Sequence, residues 1–485
     1  MKSEDHIGYQ LVVGLEVHIQ LLTESKLFAA DTTVYGQPPN SNVSVITLAH
    51  PGSMPKLNKK AVEYAIRMGL ACNSEISSYC IFDRKNYFYP DLPKGFQTTQ
   101  DKTPICMEGE VPVPLKDGNE IVVKLNRIHL EEDAGKSIHD EASGDSLIDL
   151  NRAGVPLIEL VTEPVIHSSD EAMALLTEIR RMVRYLDICD ANMEQGSLRC
   201  DANISVRKAG SSELGKKVEV KNMNSIRNVG RAIEFETNRQ IRLIENGEKI
   251  ISETRLFDAS KGTTSGMRTK EELNDYRYFP EPDISPFQVS EEWLDEIKMN
   301  MPATPRQLRR KLTSRYGLSE YDAMVLTDKK EVALFFEKTC QKTKHFKQVA
   351  NWVMGPIKSI LNERSKDVTE MPLTEDQLAD LVNEVASGGV NSSVASKVIF
   401  PALINQSRSL KETLDELNLT SDSPDELSDV ILQVVDAFPE KVKAYRNGKK
   451  NLMGMFMGEV MKQTNGTVDP KRANELLRDA LDQLN

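Results

Sequence analysis

Residues 9–22, YQLVVGLEVHIQLL, place the tightest constraint on what this chain can fold into. Side chains along a strand alternate between faces, so Glu16, His18 and Gln20 share one face while Leu15, Val17 and Ile19 share the other. One face needs an apolar layer behind it, and the other presents a carboxylate beside an imidazole. Side chains two apart on such a face stand roughly 6–7 Å from each other, a spacing at which Glu16 and His18 could reach one cation between them. A solvated polar face looks the same in a single strand. The pattern gains meaning only where other strands repeat it.

Several do. Residues 120–136, EIVVKLNRIHLEEDAGK, read as a strand ending in an acidic turn, and uninterrupted alternation puts Leu125, Arg127, His129 and Glu131 on one face with Ile128, Leu130 and Glu132 on the other. Residues 157–161, LIELV, carry Glu159 among apolar neighbours, a carboxylate costly to bury unless paired or metal-bound; exposure on a sheet edge is the alternative. In residues 197–207, SLRCDANISVR, the polar set Ser197, Arg199, Asp201, Asn203, Ser205 and Arg207 alternates with Leu198, Cys200, Ala202, Ile204 and Val206. Val218 and Val220 against Lys217, Glu219 and Lys221 repeat the design, and Ser225 is a suitable N-cap for the helix that follows. Together these strands predict an α+β domain: a twisted, largely antiparallel sheet with helices behind it and a polar site in front.

Hard oxygen ligands, an imidazole and basic neighbours suit Mg²⁺ with a nucleoside triphosphate better than zinc. Phosphoryl transfer needs positioning and charge neutralisation more than a protein nucleophile, which fits the lack of a Ser-His-Asp or Cys-His arrangement. The tail of one strand, Ala134-Gly135-Lys136-Ser137, is a poor P-loop. Its first glycine is replaced by Leu130, and Glu131, Glu132 and Asp133 would repel phosphate.

A net charge of −12 over 485 residues disfavours indiscriminate nucleic-acid binding, so any RNA contact must use local basic patches. Two are visible, Arg306, Arg309, Arg310, Lys311 and Arg315, and Lys441, Lys443, Arg446, Lys449 and Lys450; solvated helix faces would look alike. No apolar run is long enough for a membrane helix and the amino end, MKSEDHIGYQ, lacks a secretory core, so a cytoplasmic location is expected. Six cysteines without Cys-x-x-Cys spacing predict buried free thiols. Beyond about Pro286 the strand signals give way to helical periodicity, with prolines in YFPEPDISPF and MPATPRQ marking the change.

The motifs GLEVHIQL (14–21), KNYFYPDLPKGFQ (85–97), HLEEDAGK (129–136), NRAGVPLIELVTEP (151–164), GSLRCDANISVR (196–207), VEVKNMNS (218–225), TKEELNDYRYFPEPD (269–283), YDAMVLT (321–327), NWVMGPI (351–357) and LMGMFMGEVMKQTNG (452–466) resemble, in order and over nearly the whole chain, the B subunit of the aspartyl/glutamyl-tRNA amidotransferase. The resemblance implies a cradle at 1–293 with a fold similar to glutamine synthetase, a helical domain at 294–407 and a helical tail at 408–485 that meets the outer corner of a tRNA. It implies ATP- and Mg²⁺-dependent phosphorylation of the side-chain carboxylate of Glu-tRNA(Gln), Asp-tRNA(Asn) or both, followed by amidation. Ammonia would come from a separate amidase (glutaminase) subunit, with a small linker subunit completing a heterotrimer.

By the same resemblance Glu16, His18, Glu131 and Glu159 match metal and catalytic positions, with Glu132 a further metal candidate. Lys85 would act directly on phosphate, and Lys94, Arg152, Asp201, Asn203 and Lys221 would hold the nucleotide. Lys441, Lys443, Arg446, Lys449 and Lys450 would bind RNA. Many relatives carry four cysteines where this chain has Ala29, Asp31, Ser44 and Thr47. No structural zinc is therefore expected, with packing of Phe28, Val34, Tyr35, Val43, Val45, Ile46 and Leu48 holding the loop instead. A non-catalytic tRNA-binding scaffold and a metal-dependent phosphodiesterase are the rival readings. The concentration of acids on the strands opposes the scaffold, because carboxylates repel phosphate.

Overall fold

The computed structural model describes residues 8–139, 143–269, 276–406, 409–417, 424–464 and 470–483. Residues 270–275 and 465–466 of the quoted motifs, and residues 1–7 of the amino end, lie outside them. The chain divides into two compact units, Met1–Thr304 and Pro305–Asn485.

In the first unit Tyr9–Gln20 is a central strand because Val13, Leu15, Val17 and Ile19 are buried in the main core while their alternates face away. It pairs antiparallel with Leu198–Lys208 on one side and Pro156–Thr162 on the other. Among the described residues ten strands make up the sheet. Beyond Leu198–Lys208 it continues through Val218–Lys221, Glu253–Asp258 and Thr263–Thr269; beyond Pro156–Thr162 it continues through Glu120–Glu132, Cys106–Met107 and Glu75–Ile76, with Glu110–Pro114 also on Glu120–Glu132. Among the described residues only the pairing of Val218–Lys221 with Glu253–Asp258 is parallel. The strand carrying Glu159 is thus interior, and the edge alternative is excluded.

Helices Lys59–Ala71, Ser169–Tyr185 and Ile226–Glu245 cover the apolar face, sending Ile66, Leu176, Ile179, Val229 and Ile233 into the same core as Leu15 and Val17. Each begins at a polar cap: the side chains of Asn58, Ser168 and Ser225 accept from the backbone N–H of Lys60, Glu171 and Asn228. Such a cap contributes about 1 kcal/mol. With one face covered by helices, the other is left for the polar side chains.

Two expectations are corrected. Alternation along Glu120–Glu132 is interrupted, because Leu125 pairs with Thr162 and Arg127 with Val161, leaving Asn126 as an extra residue in the ladder. Leu125 consequently turns into the core, and Asn126 donates to Glu163 Oε1 at 2.9 Å. After this bulge the expected order returns, with Ile128 and Leu130 in the core and Arg127, His129 and Glu131 opposite.

The loop at 28–50 is not held by its apolar residues. Phe28 is buried, but Val34, Tyr35 and Val45 are exposed. Carbonyls in an irregular segment still need donors, so polar side chains occupy its interior. The buried Lys26 ammonium donates to the Asn42 carbonyl at 2.7 Å, Asn42 N–H donates to Asn151 Oδ1 at 2.8 Å, and Ser44 Oγ donates to Asp31 Oδ2 at 2.8 Å, an oxygen that also accepts from the Thr47 hydroxyl. Asp31, Ser44 and Thr47 therefore meet as a hydrogen-bonded knot.

The first unit extends past the proline-rich stretch, since helix Glu291–Met299 buries Ile297 in its core. The second unit is helical. One cluster gathers Leu312, Phe336, Trp352, Leu381 and Phe400; another, between helices Pro424–Ala437, Met453–Gln463 and Pro470–Gln483, gathers Ile431, Val434, Phe456 and Leu477. A π-turn at Val353–Ile357 accommodates Pro356, which lacks the N–H a regular helix would use. Among the described residues no helix is long and apolar enough to cross a membrane.

Candidate active site

Sheet register assembles the site from residues far apart in the chain. His18 lies opposite Glu159 on one neighbour and Arg199 on the other, Glu16 opposite Asp201, and Glu159 opposite His129. His18 Nε2 stands 3.4 Å from Glu159 Oε2 and 3.7 Å from Glu131 Oε1, while His129 Nε2 stands 3.7 Å from both Glu131 and Glu159. The ligand atoms of His18, Glu131 and Glu159 all lie within 4.8 Å of one another, and those of Glu16, Asp201 and Glu219 form a second such group. Carboxylate oxygens dominate both groups, a donor set that fits a hard divalent cation. Among the described residues the buried Nδ1 of His129 has no hydrogen-bond partner.

The charges of these groups are interlocked. Burial works against the His18 imidazolium, but the hydrogen bond and charge of Glu159, with the charges of Glu131 and Asp201, outweigh it and raise its pKa to about 9. Burial would raise the Glu159 carboxyl, yet His18, His129 and Lys85 hold it well below the ordinary carboxylate range. Glu16 is raised, first by burial and then by the charge of Glu159, despite the Asn203 amide that donates to it at 2.8 Å. Lys221 is raised because Asp201 and Glu219 overcome its desolvation; it lies 3.1 Å from Glu219 and donates to Asp201. Lys85, on the short strand Asp83–Asn86, is also desolvated, but the charges of Glu131, Tyr278 and Glu159 outweigh this and raise its pKa.

Six expected residues therefore converge on the sheet face: Glu16, His18, Glu131, Glu159, Asp201 and Asn203, with Lys85 and Lys221 as their cations. Glu132 does not join them. Strand alternation turns it away from Glu131, and its carboxylate accepts from the Lys94 ammonium and, at 3.1 Å, from Thr98 N–H. Lys94 and Glu132 instead line a cavity of 340 Å³ with Arg84, Glu281 and Lys26. Arg152 is directed to the acidic turn, donating to the carbonyls of Ala134 at 2.9 Å and Gly135 at 2.7 Å.

His129, Arg199 and Glu219 were not among the expected site residues. Each nonetheless sits on the polar side of an alternating strand, which was the available signal; Arg199 lies 2.9 Å from Asp133. In the helical unit Lys311 pairs with Glu337 at 2.6 Å. Of the five tail cations, Arg446 donates to the Leu481 carbonyl at 3.0 Å, and Lys450 lies 4.0 Å from the Tyr445 ring and 3.6 Å from Asp482. Lys441, Lys443 and Lys449 are exposed, Lys443 lying 3.6 Å from an equally exposed Glu440.

A family model described as the GatB/GatE catalytic domain matches residues 11–295, and one described as the GatB domain matches residues 334–481. The B subunit of the aspartyl/glutamyl-tRNA(Asn/Gln) amidotransferase of Thermodesulfovibrio yellowstonii is 48% identical over 470 residues, covering 97% of this chain and 98% of its own. Proteins of the same name from Thermoanaerobacter pseudethanolicus, 44% identical over 474 residues (98% and 99%), and Trichodesmium erythraeum, 46% identical over 484 residues (98% and 98%), are also similar.

Proposed function

The chain belongs to the B-subunit family of the aspartyl/glutamyl-tRNA(Asn/Gln) amidotransferases, and from that premise we propose that it activates the side-chain carboxylate of glutamate misacylated on the glutamine tRNA, of aspartate on the asparagine tRNA, or of both. It is then the ATP-dependent part of a carbon–nitrogen ligase, working in the cytoplasm. A separate amidase subunit supplies ammonia from glutamine, and a small subunit links the two. The observation that carries this reading is the His18–Glu131–Glu159 group on the central sheet.

Activation is chemically required, because ammonia does not displace an oxide from a carboxylate. An oxygen of the acyl side chain takes the γ-phosphoryl group of ATP and ADP departs; ammonia then attacks the carbonyl carbon, phosphate leaves, and the nitrogen loses a proton. His18, Glu131 and Glu159 would hold one Mg²⁺ and Glu16, Asp201 and Glu219 a second. When bound, the cations neutralise charge on the phosphate oxygens. Lys85 sets a desolvated positive charge against the same oxygens, while Lys221 and Asn203 fix the carboxylates of the second group. Lys94 and Arg152 serve by positioning Glu132 and the turn at 134–135. The first unit is assigned as the cradle, similar in fold to glutamine synthetase. The helical part is assigned as a middle domain and, from 408, an RNA-binding tail using Lys441, Lys443 and Lys449.

The test is phosphate release from ATP by the assembled complex. Release should require the misacylated tRNA, and Glu131→Gln or Glu159→Gln should lose it while still binding that tRNA. Equal release without tRNA, or normal amide formation by both variants, would overturn the proposal.

A further inference from the structure

Beside the carboxylate groups the first unit carries aromatic rings that its core does not use. Tyr87 and Tyr89 stand edge to face at 5.7 Å, Tyr87 and Tyr276 at 5.8 Å, and Tyr276 and Tyr278 at 6.2 Å, making a continuous row. Phe88 is 85% exposed, Tyr89 50% and Tyr278 38%. Exposed aromatics on loops are ordinarily mobile, yet these are tied down. Asn86 N–H donates to the Tyr276 carbonyl and its side-chain amide to the Arg277 carbonyl, each at 2.9 Å, stapling the two ring-bearing segments together. Tyr87 donates to Gln97 Oε1 at 3.3 Å, and Gln97 donates to the Glu132 carbonyl at 2.8 Å, which fixes the row to the strand bearing Glu131. The ring of Phe88 rests over Gly95, at φ +74°, where any Cβ would approach it to 3.2 Å.

We propose that this row, with the exposed Phe88 ring beside it, is a stacking seat for the terminal nucleobase of the aminoacylated RNA. The inference rests on the function proposed above. Rigid, solvent-facing π-surfaces next to a cation are what unpaired bases stack on, irrespective of their identity. Lys85 sets the location: its ammonium lies 5.0 Å from the Tyr276 ring and 5.9 Å from the Tyr87 ring, and Tyr87 is itself tied through Gln97 to the strand that carries Glu131. In an aminoacylated RNA the reacting carboxylate is joined to the terminal base by one amino-acid side chain and one ribose, so the base must rest within that reach of the carboxylate groups. The adenine of ATP is separated from its γ-phosphate by a ribose and two further phosphates, and belongs farther away.

A tRNA carrying 2-aminopurine at its 3′ end reports stacking directly through fluorescence quenching. The wild-type complex should quench it; Phe88→Ala and Tyr89→Ala should lose most of the quenching and raise KM for misacylated tRNA about tenfold or more, with KM for ATP unchanged. Phe88→Trp and Tyr89→Phe should retain both properties. Undiminished quenching and KM in both alanine variants would overturn the seat, as would a rise in KM for ATP alone or loss of subunit assembly, which would assign the rings to adenine or to a partner protein. A wild-type complex that forms no amidated tRNA would instead overturn the underlying function.

Discussion

The sheet unit and the helical tail both carry dense charge, but they hold it in opposite ways. On the sheet each site carboxylate has a partner dictated by register: His18 for Glu159 and Glu131, Lys221 for Asp201 and Glu219, Asn203 for Glu16. In the tail Lys441 and Lys443 stand on a short helix in water with Lys449 exposed just beyond it, and the best-satisfied cation, Arg446, is used to bind a neighbouring helix end. Partly buried charge is expensive unless its geometry is settled in advance, whereas exposed charge costs little and contributes little until a partner arrives. The first arrangement suits chemistry on a small group and the second suits a long phosphate backbone.

The largest test of this contrast removes sheet carboxylates. His18→Ala, Glu131→Ala or Glu159→Ala should each lower tRNA-dependent ATP cleavage on the order of 10⁴-fold, with tRNA affinity by filter binding and the partner's glutamine hydrolysis kept. Normal amide formation by all three would dissolve the distinction between the two regions.

Alkaline pH should separate the units next. Five of the six buried cysteines, Cys72, Cys80, Cys106, Cys189 and Cys200, lie in the first unit and only Cys340 in the second. Burial pushes the Cys80 thiol up to about 11 and those of Cys72, Cys189 and Cys340 to about 12, against an ordinary value of 9.0. The folded thiols stay protonated while unfolded ones ionise, so stability is intact below pH 9 and falls above it, by up to about 1.4 kcal/mol per thiol per pH unit. The chain's two tryptophans, Trp293 and Trp352, fall one in each unit. Denaturant unfolding followed by Trp293 emission in a Trp352→Phe variant should therefore weaken far more steeply with pH than unfolding followed by Trp352. Equal slopes would show that the thiols do not drive it.

Lys221→Ala leaves Asp201 and Glu219 without their cation. It should cost about 2 kcal/mol in urea unfolding, less than a fully buried pair because the lysine is partly exposed. Millimolar Mg²⁺ should recover part of that loss, since a divalent cation can take the lysine's place. Failure of Mg²⁺ to rescue would count against the second carboxylate group as a cation site. The smallest effects belong to the tail. Arg446→Gln should lower its thermal stability by about 1 kcal/mol through the lost bond to Leu481, whereas Lys449→Gln should leave stability alone and flatten the salt dependence of tRNA binding by about 0.7–0.9 in log–log slope. Reversed results would exchange the structural and RNA-facing roles of these two residues.

Part of this molecule is legible without coordinates. Strict alternation in residues 9–20 and 198–208 makes Glu16 and His18 share a face, and Asp201 and Asn203 share another, whatever else the chain does. Ser225 announces its helix through its own side chain. Less was legible in Glu120–Glu132. One extra residue at Asn126 shifted Leu125 into the core while leaving Glu131 where alternation placed it, because the bulge lies upstream of the acidic end. The loop at 28–50 misled for a different reason. Its apolar content suggested packing, but the need to pair its carbonyls brought Lys26 and Asn42 inside and left Val34 and Tyr35 in water.

By itself the sequence determined local facts: which side chains alternate, where helices start, and that carboxylates outnumber cations on the strands. Pairing was decided only in the folded chain. That Glu131 meets His18 while the adjacent Glu132 meets Lys94, and that Glu219 rather than Glu132 completes a carboxylate group, depends on which strands lie side by side and in what register. Periodicity is a property of one segment, set by backbone geometry over a few residues. Register is a property of two segments that can be more than a hundred residues apart, and it is settled by the burial of their apolar faces against a common layer of helices.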